Sequence, residues 1–121
     1  MEEHLRKIEH FLLEEYDVEV DYDSSYEDSY YHESGLIEMN SSQALESCLC
    51  GLLHEAGHAA LGHRLTTPHL PHQSVIDMEL SAWHFGKKIA SALSIPIPLS
   101  YDKECRISIE KYKTHFKGEG A

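Results

Sequence analysis

The feature that most constrains the fold is the stretch of residues 40–62, where apolar residues recur at helical spacing. At 100° per residue, four later residues fall within about 60° of Leu45 on the helical wheel: Leu49, Leu52, Ala56 and Ala60. Asn40, with Gln43 three residues later, resembles a capping box, and Gly62 is typical of the position just after a helix end. The stretch therefore predicts a long helix with one apolar stripe.

Before this helix, the sequence predicts one short helix and a small sheet. Residues 2–16 have apolar side chains at helical spacing and acidic residues in the first turn. Three short segments then have the composition of strands: 18–23, 26–32 and 36–39. Because only short turns separate these segments, we expect a three-stranded antiparallel sheet.

After the long helix, the sequence predicts two more helices. Residues 63–74 contain two prolines and are expected to be irregular. A helix is predicted over residues 75–93, and the alternating isoleucines and prolines of residues 95–98 end it. Ser100 is a typical N-cap for a last amphipathic helix that reaches about residue 116. The order of one helix, three strands and three helices predicts an α+β class.

The size and composition of the chain favour one domain over residues 1–121. The chain has 121 residues, of which 41% are hydrophobic and 26% charged, as is usual for a globular domain. Its apolar runs are far shorter than the roughly 20 residues that span a bilayer, and its charged N-terminus is unlike a signal peptide. The odd number of cysteines, three, fits a reducing compartment. We therefore expect a cytoplasmic protein without membrane contact.

The charge of the chain excludes one class of partner and leaves another open. The formal net charge is −11, which argues against direct binding to nucleic acid. Residues 17–33 hold seven acidic residues and no Lys or Arg. This acidic stretch is either a solvated face or an electrostatic guide for a basic partner.

The long helix carries an HExxH motif, formed by His54, Glu55 and His58. Residues i and i+4 lie on one face of a helix, so two imidazoles can bind one zinc ion. Glu55 is turned about 100° away, so it can take a proton from an attacking water and pass it to the leaving amine. Both histidines face away from the apolar stripe, beside Ser47 and Gly51, where small residues would let another helix approach.

A catalytic zinc needs a third protein ligand and an open position, and Glu79 is the best candidate. Glu79 lies in the middle of the apolar face of the helix predicted over residues 75–93. A buried carboxylate requires a counter-charge, which a zinc held by His54 and His58 would provide. The alternatives are a salt bridge to Lys or Arg, or a helix rotated so that Glu79 is exposed.

Three other histidines that follow the motif are rival ligands: His63, His69 and His72. The pattern HExxHxxGxxH would require Gly at position 61 and His at position 64, where this chain has Leu61 and Arg64. His72 could bind the metal in the manner of SprT-like proteases, although their His-Gly pair is missing. His63 and His69 are typical of exposed loop histidines.

Two segments of the chain resemble a known family. Residues 52–61 read LLHEAGHAAL, and residues 79–86 read ELSAWHFG. Together, these two segments look like the ImmA/IrrE-type metallopeptidases. These are compact gluzincins, in which a glutamate on a second helix completes HExxH, and the minigluzincins are similar. The second motif of the family reads roughly E-x-x-A-N-x-F-A. Three residues match it and two differ: Glu79, Ala82 and Phe85 match, while Trp83 replaces Asn and Gly86 replaces Ala.

This resemblance, which covers residues 36–95, implies a small zincin-like fold and a zinc-dependent endopeptidase. It implies one zinc per chain, bound by His54, His58 and Glu79, with Glu55 as general base. It also implies a protein or peptide substrate inside the cell. Several relatives cut repressors, which are basic and would suit the acidic stretch. In such folds the strand nearest the cleft, here predicted as residues 36–39, can pair with an extended substrate.

Two points remain open in the sequence: which residue stabilises the oxyanion, and whether the chain is an enzyme. Four residues could stabilise the oxyanion: Tyr30, Tyr31, His63 and His84. The chain could also be a catalytically silent adaptor or inhibitor of the same fold, or a protein in which zinc only joins helices. A structural site would fill its fourth position with a protein ligand such as His72 or Cys105. Such a site has no use for Glu55, whose presence favours the enzyme.

Overall fold

The computed structural model describes residues 2–63 and 71–119, with side chains described as far as residue 116. The elements, in chain order, are α1 (Glu2–Tyr16), β1 (Glu19–Asp23), β2 (Ser29–Tyr31), β3 (Leu36–Asn40), α2 (Leu45–Leu61), α3 (His72–Ala92) and α4 (Tyr101–Glu119). The fold is α+β with four helices and a three-stranded sheet, as predicted. Most of the stretch predicted to be irregular, including His69, lies outside the described residues.

Helix α2 lies at the centre of the molecule. Residues 48–59 are all buried, because α1, α3 and the sheet pack around the helix. Helix α1 packs against it with Leu5, Ile8 and Leu12, and helix α3 covers another face. The apolar stripe predicted for this helix is therefore only part of its buried surface, and Leu45, at its start, is exposed.

The predicted cap at the start of α2 is wrong, whereas its predicted end is confirmed. The helix begins at Leu45, so the predicted capping box of Asn40 and Gln43 is wrong. Asn40 ends β3, and the Gln43 side chain donates to the Asp28 carboxylate and to the carbonyl of Asn40. These residues hold the turn before the helix instead of capping it. The predicted end is confirmed, because Gly62 adopts the left-handed conformation with φ 66° and ψ 34°.

The sheet is mixed, with strand order β1-β3-β2. Strand β1 pairs parallel to β3, and β2 pairs antiparallel to it, so the predicted fully antiparallel sheet is wrong. The physical reason lies in the composition of the strands. Strand β3 buries Ile37 and Met39 completely and takes the central position. Strand β1 exposes three acidic residues, which suit an edge.

The strand order also corrects the expected site of substrate pairing. Strand β3 is hydrogen-bonded to a neighbour on both sides, so its backbone has no open edge for a further strand. Strand β2, with residues Ser29–Tyr31, is an edge strand and is shorter than the predicted 26–32. A peptide that adds to this sheet next to β2 would extend it without displacing a strand.

Helices α2 and α3 approach each other at a glycine. A Cβ atom on Gly57 would lie 2.1 Å from the carbonyl oxygen of Ala82, so the two backbones touch there. The predicted small residue Gly51 has another neighbour, because a Cβ on it would meet the Asp28 carboxylate. The close approach at Gly57 brings the side chains of α3 within reach of the histidines of α2.

Helix α4 packs against α3. Ser100 directly precedes it, and its carbonyl accepts the first helical hydrogen bond from the Glu104 amide at 2.9 Å, as expected for the N-cap position. The Tyr101 hydroxyl donates to the carbonyl of Trp83, which ties α4 to α3. Among the helices of the described ranges, none is both long and apolar enough to cross a lipid bilayer.

Candidate metal centre

The structure brings together the three side chains predicted as metal ligands. Nε2 of His54 lies 2.6 Å from Oε2 of Glu79, and Nε2 of His58 lies 3.1 Å from the same oxygen. The two Nε2 atoms are 3.0 Å apart. Two imidazole nitrogens and one carboxylate oxygen thus converge on one point, close enough to bind a metal ion.

The Glu79 carboxylate is buried, with 1% of the residue exposed. Burial alone would raise its pKa, but hydrogen bonds from His54 and His58 outweigh this effect and hold the pKa well below its usual range. The ionised carboxylate therefore depends on the two histidines. Of the alternatives considered for Glu79, neither an exposed side chain nor a salt bridge to Lys or Arg is found in the described part of the chain.

His54 lies between two carboxylates and against an aromatic ring. Its Nδ1 is 3.2 Å from Oε2 of Glu55, while its Nε2 faces Glu79. Burial disfavours the charged imidazolium, but Glu55 and Glu79 outweigh burial and raise the pKa of His54 to about 9. The indole of Trp83 stacks on the imidazole, with ring centroids 4.2 Å apart and an interplanar angle of 8°. The ring of Tyr101 packs edge-on against Trp83.

Glu55 lies beside the three converging groups without joining them. In the described residues, the cluster that could hold a metal consists of His54, His58 and Glu79. Glu55 is buried, with 5% of the residue exposed, and lines the same cavity as these three. The arrangement thus has a carboxylate next to the cluster, facing the space where a small molecule or a peptide could enter.

A cavity of about 590 Å³ opens at the cluster. One wall consists of Asp28 and the edge strand β2, including Tyr30 and Tyr31. Helix α4 also lines the cavity and contributes Ile107 and Lys111 among others. The cluster of α2 and α3 residues therefore lies in a concave site that also has β2 and α4 in its lining.

Tyr112 is a further residue of this site, on the helix that the sequence analysis predicted only as amphipathic. It lines the cavity together with Glu79, whose carboxylate lies near its hydroxyl. Burial and the neighbouring Glu79 raise its pKa, so the hydroxyl keeps its proton and can act as a donor. Helical spacing on α4 was the available signal, but it could not show that this face meets Glu79.

The remaining candidates lie in different places. Tyr30 and Tyr31 line the cavity, whereas His84 is exposed and is not part of the lining. His72 begins α3 and stacks on Phe116, and it is not part of the metal-binding cluster. His63 is not an isolated loop residue, because its Nδ1 lies 2.9 Å from Nδ1 of His58. Burial lowers the pKa of His63, and proximity to His58 lowers it further.

Comparison of the chain with protein-family models, with curated proteins and with solved structures found no match.

Proposed function

We propose that this protein is a zinc-dependent endopeptidase of gluzincin type, with His54, His58 and Glu79 as ligands and Glu55 as general base. The observation that carries the proposal is the buried Glu79 carboxylate, which meets both histidines of HExxH within 3.1 Å at the bottom of an open cavity. Neither a random surface motif nor a core polar network would require these three groups, a second carboxylate and an entrance together.

The donor set suits zinc. Two imidazole nitrogens with one carboxylate oxygen form a common ligand set of catalytic zinc sites, which leave a further position open. A zinc ion bound here would acidify a water molecule and polarise the carbonyl of a peptide bond. We expect one ion per chain, because the described residues form one such cluster.

Glu55 is the proton carrier in the proposed reaction. Its carboxylate takes a proton from the attacking water and delivers that proton to the nitrogen of the leaving amine, while the water oxygen bonds to the carbonyl carbon. The amide C–N bond breaks, which gives a carboxylic acid and an amine. The position of Glu55 beside the cluster, in the lining of the cavity, supports this role.

Tyr112 is our candidate for the donor that stabilises the developing negative charge on the carbonyl oxygen. It comes from α4, lines the same cavity as β2, and carries a hydroxyl near Glu79. Replacing it with Phe should leave zinc bound and reduce kcat, with little change in KM. If Y112F has an unchanged kcat, the Tyr112 hydroxyl does not stabilise the oxyanion.

The proposed substrate is an extended peptide segment that pairs with the edge of β2. This strand forms one wall of the cavity, and its outer edge is not covered by β3. The sheet also exposes Glu19, Asp21 and Asp23 on β1. This charge supports a basic protein substrate and opposes direct binding of the chain to nucleic acid.

A catalytically silent adaptor or inhibitor of the same fold is the second candidate. One observation favours it: Oε2 of Glu55 lies 3.2 Å from Nδ1 of His54, so the carboxylate already has a partner at the centre. In an adaptor, Glu55 would serve only to orient this ligand. In the enzyme, it exchanges this contact for the attacking water.

The Glu55→Gln substitution separates these two functions. We expect the variant to retain one zinc per chain by elemental mass spectrometry and to lose cleavage of a proteome-derived peptide library by about 10²-fold or more. Glu104→Gln is the matched control, because Glu104 also lines the cavity but lies outside the cluster. If wild-type protein binds zinc but cleaves the peptide library no more than E55Q does, this result would support the adaptor.

A further inference from the structure

We propose that His63 is a positioning residue for the metal ligand His58: it accepts a hydrogen bond from Nδ1–H of His58 and so leaves Nε2 of His58 free of a proton. This inference rests on the proposed zinc site, although not on peptidase activity. It assigns a different function to a histidine that the sequence analysis considered as a rival ligand, an oxyanion-stabilising residue or an exposed loop residue.

The way helix α2 ends brings the two residues together. The Gly62 amide donates to the carbonyl of Ala59 at 3.2 Å, and the His63 amide donates to the carbonyl of His58 at 3.0 Å. These two bonds, with Gly62 in the left-handed conformation, form a Schellman motif. In that motif the second residue after the helix usually makes an apolar contact with the residue that accepts its amide. Here both residues are histidines.

The side-chain geometry fits a hydrogen bond between the rings. Nδ1 of His58 and Nδ1 of His63 are 2.9 Å apart, a normal distance for such a bond. The other nitrogen of His58, Nε2, faces His54 and Glu79. His58 therefore presents one nitrogen to the cluster and the other to His63. With only 1% of His58 exposed, water has little access to either nitrogen.

The chemistry of a ligand histidine determines the direction of the bond. A metal binds the nitrogen that carries no proton, so the neutral ring of His58 must keep its proton on Nδ1. A buried N–H needs an acceptor, and the nearby Nδ1 of His63 provides one when His63 carries its own proton on Nε2. Partners of this kind fix the tautomer and the orientation of the ligand ring.

The two ligand histidines thus have different partners at their outer nitrogens. Nδ1 of His54 faces Glu55, the proposed general base, whereas Nδ1 of His58 faces Nδ1 of His63. His63 has no place in the proposed proton transfer and does not bind the metal in this arrangement. Its contact with His58 therefore remains constant while Glu55 takes part in the reaction.

Three variants of the full chain test the proposal by Zn²⁺ competition titration with a chromophoric chelator. His63→Leu keeps an apolar contact at the helix end but removes the acceptor, and we expect zinc affinity to fall by about 10–100-fold. His63→Asn places an oxygen near the position of Nδ1, and its affinity should remain within about threefold of wild type. His84→Leu, which replaces an exposed histidine outside the cavity, should match wild type.

A measurement without mutation tests the same bond. In zinc-loaded wild type with ¹⁵N-labelled histidines, NMR should show the proton of His58 on Nδ1 and that of His63 on Nε2. A proton on Nδ1 of His63, or zinc affinity in H63L equal to that of wild type, would overturn the proposal. Equal losses in H63L and H63N would also overturn it, because they indicate a steric role.

The outcomes separate this inference from the proposed function. Wild type that binds no zinc overturns the metal site, and the inference with it. Wild type that binds zinc, together with an unaffected H63L, overturns the inference alone. Thermal unfolding of the metal-free variants provides the folding control, because H63L should unfold within a few degrees of wild type if the helix end is intact.

Discussion

Glu79 illustrates, at the scale of a single residue, how a buried charge identifies a site. Its ionised form is held by His54 and His58, whose Nε2 atoms lie within 3.1 Å of the carboxylate. A carboxylate in such a place would be costly without compensating positive charge. The sequence predicted this position from helical spacing alone, because an acid in the middle of an apolar face requires a partner.

Removing the charge of Glu79 should therefore remove the metal. We expect Glu79→Gln, which keeps the size of the side chain, to lose about 10²-fold or more in zinc affinity, because a neutral amide is a poor zinc ligand. Zinc per chain by elemental mass spectrometry checks this result. Asp77→Asn on the exposed side of the same helix is the control and should retain zinc. Full zinc content in E79Q would mean that Glu79 is not the third ligand.

The raised pKa of His54 predicts proton release when zinc binds. In metal-free protein this pKa is about 9, so His54 holds a proton at about pH 7.5. A metal ligand must lose that proton, so binding should release about one proton at pH 7.5 and progressively fewer as the pH rises through 9. Apparent zinc affinity should rise with pH over the same range. Calorimetry in buffers of different ionisation enthalpy measures this release, and a pH-independent affinity below pH 9 would contradict it.

At the scale of elements, the site depends on how closely α2 and α3 pack. A methyl group on Gly57 would collide with the Ala82 carbonyl oxygen, which belongs to the backbone and cannot move aside alone. Gly57→Ala should therefore separate the helices, lower the free energy of unfolding by about 1–3 kcal/mol, and weaken zinc binding by moving Glu79 away. Chemical denaturation and zinc titration measure the two effects. Wild-type values for both would mean that the helices can shift without cost.

Helical periodicity identified the helices and the three converging residues, since these depend on local spacing. It missed the start of α2, because Gln43 bonds to Asp28, a residue that is distant in sequence. Tyr112 was missed for a similar reason: the face of α4 was predicted, but its neighbour was not. His63 could have been identified, because Gly62 predicts a Schellman motif and hence a contact with His58.

At the scale of the whole molecule, strand order was the part of the fold that sequence could not provide. Strand pairing joins distant residues, and short turns suggested that neighbouring strands would pair. Instead, the chain crosses from β1 to the far side of β3 before it returns. The apolar content of β3 was a signal for a central strand, but the segments alone did not fix which strands were its neighbours.

The central position of β3 makes a distinct prediction for Ile37. Because this residue is fully buried and lies in a strand paired on both sides, Ile37→Pro should destabilise the fold by about 3 kcal/mol or more. We do not expect this substitution to lower substrate affinity while leaving the stability of the fold unchanged. Urea denaturation checks the result, with Ile37→Val as a control that should cost only about 0.5–1.5 kcal/mol. A stable I37P protein would argue against the strand order.

The stack of Trp83 on His54 has a practical consequence. The chain contains one tryptophan, and its indole lies against a ring whose charge depends on whether a proton is present. The emission of an excited indole responds to the charge of a ring in contact with it. When the excitation wavelength is selective for tryptophan over the seven tyrosines, the emission comes from a single fluorophore beside the cluster, so the binding and release of a metal should be observable in real time without any label.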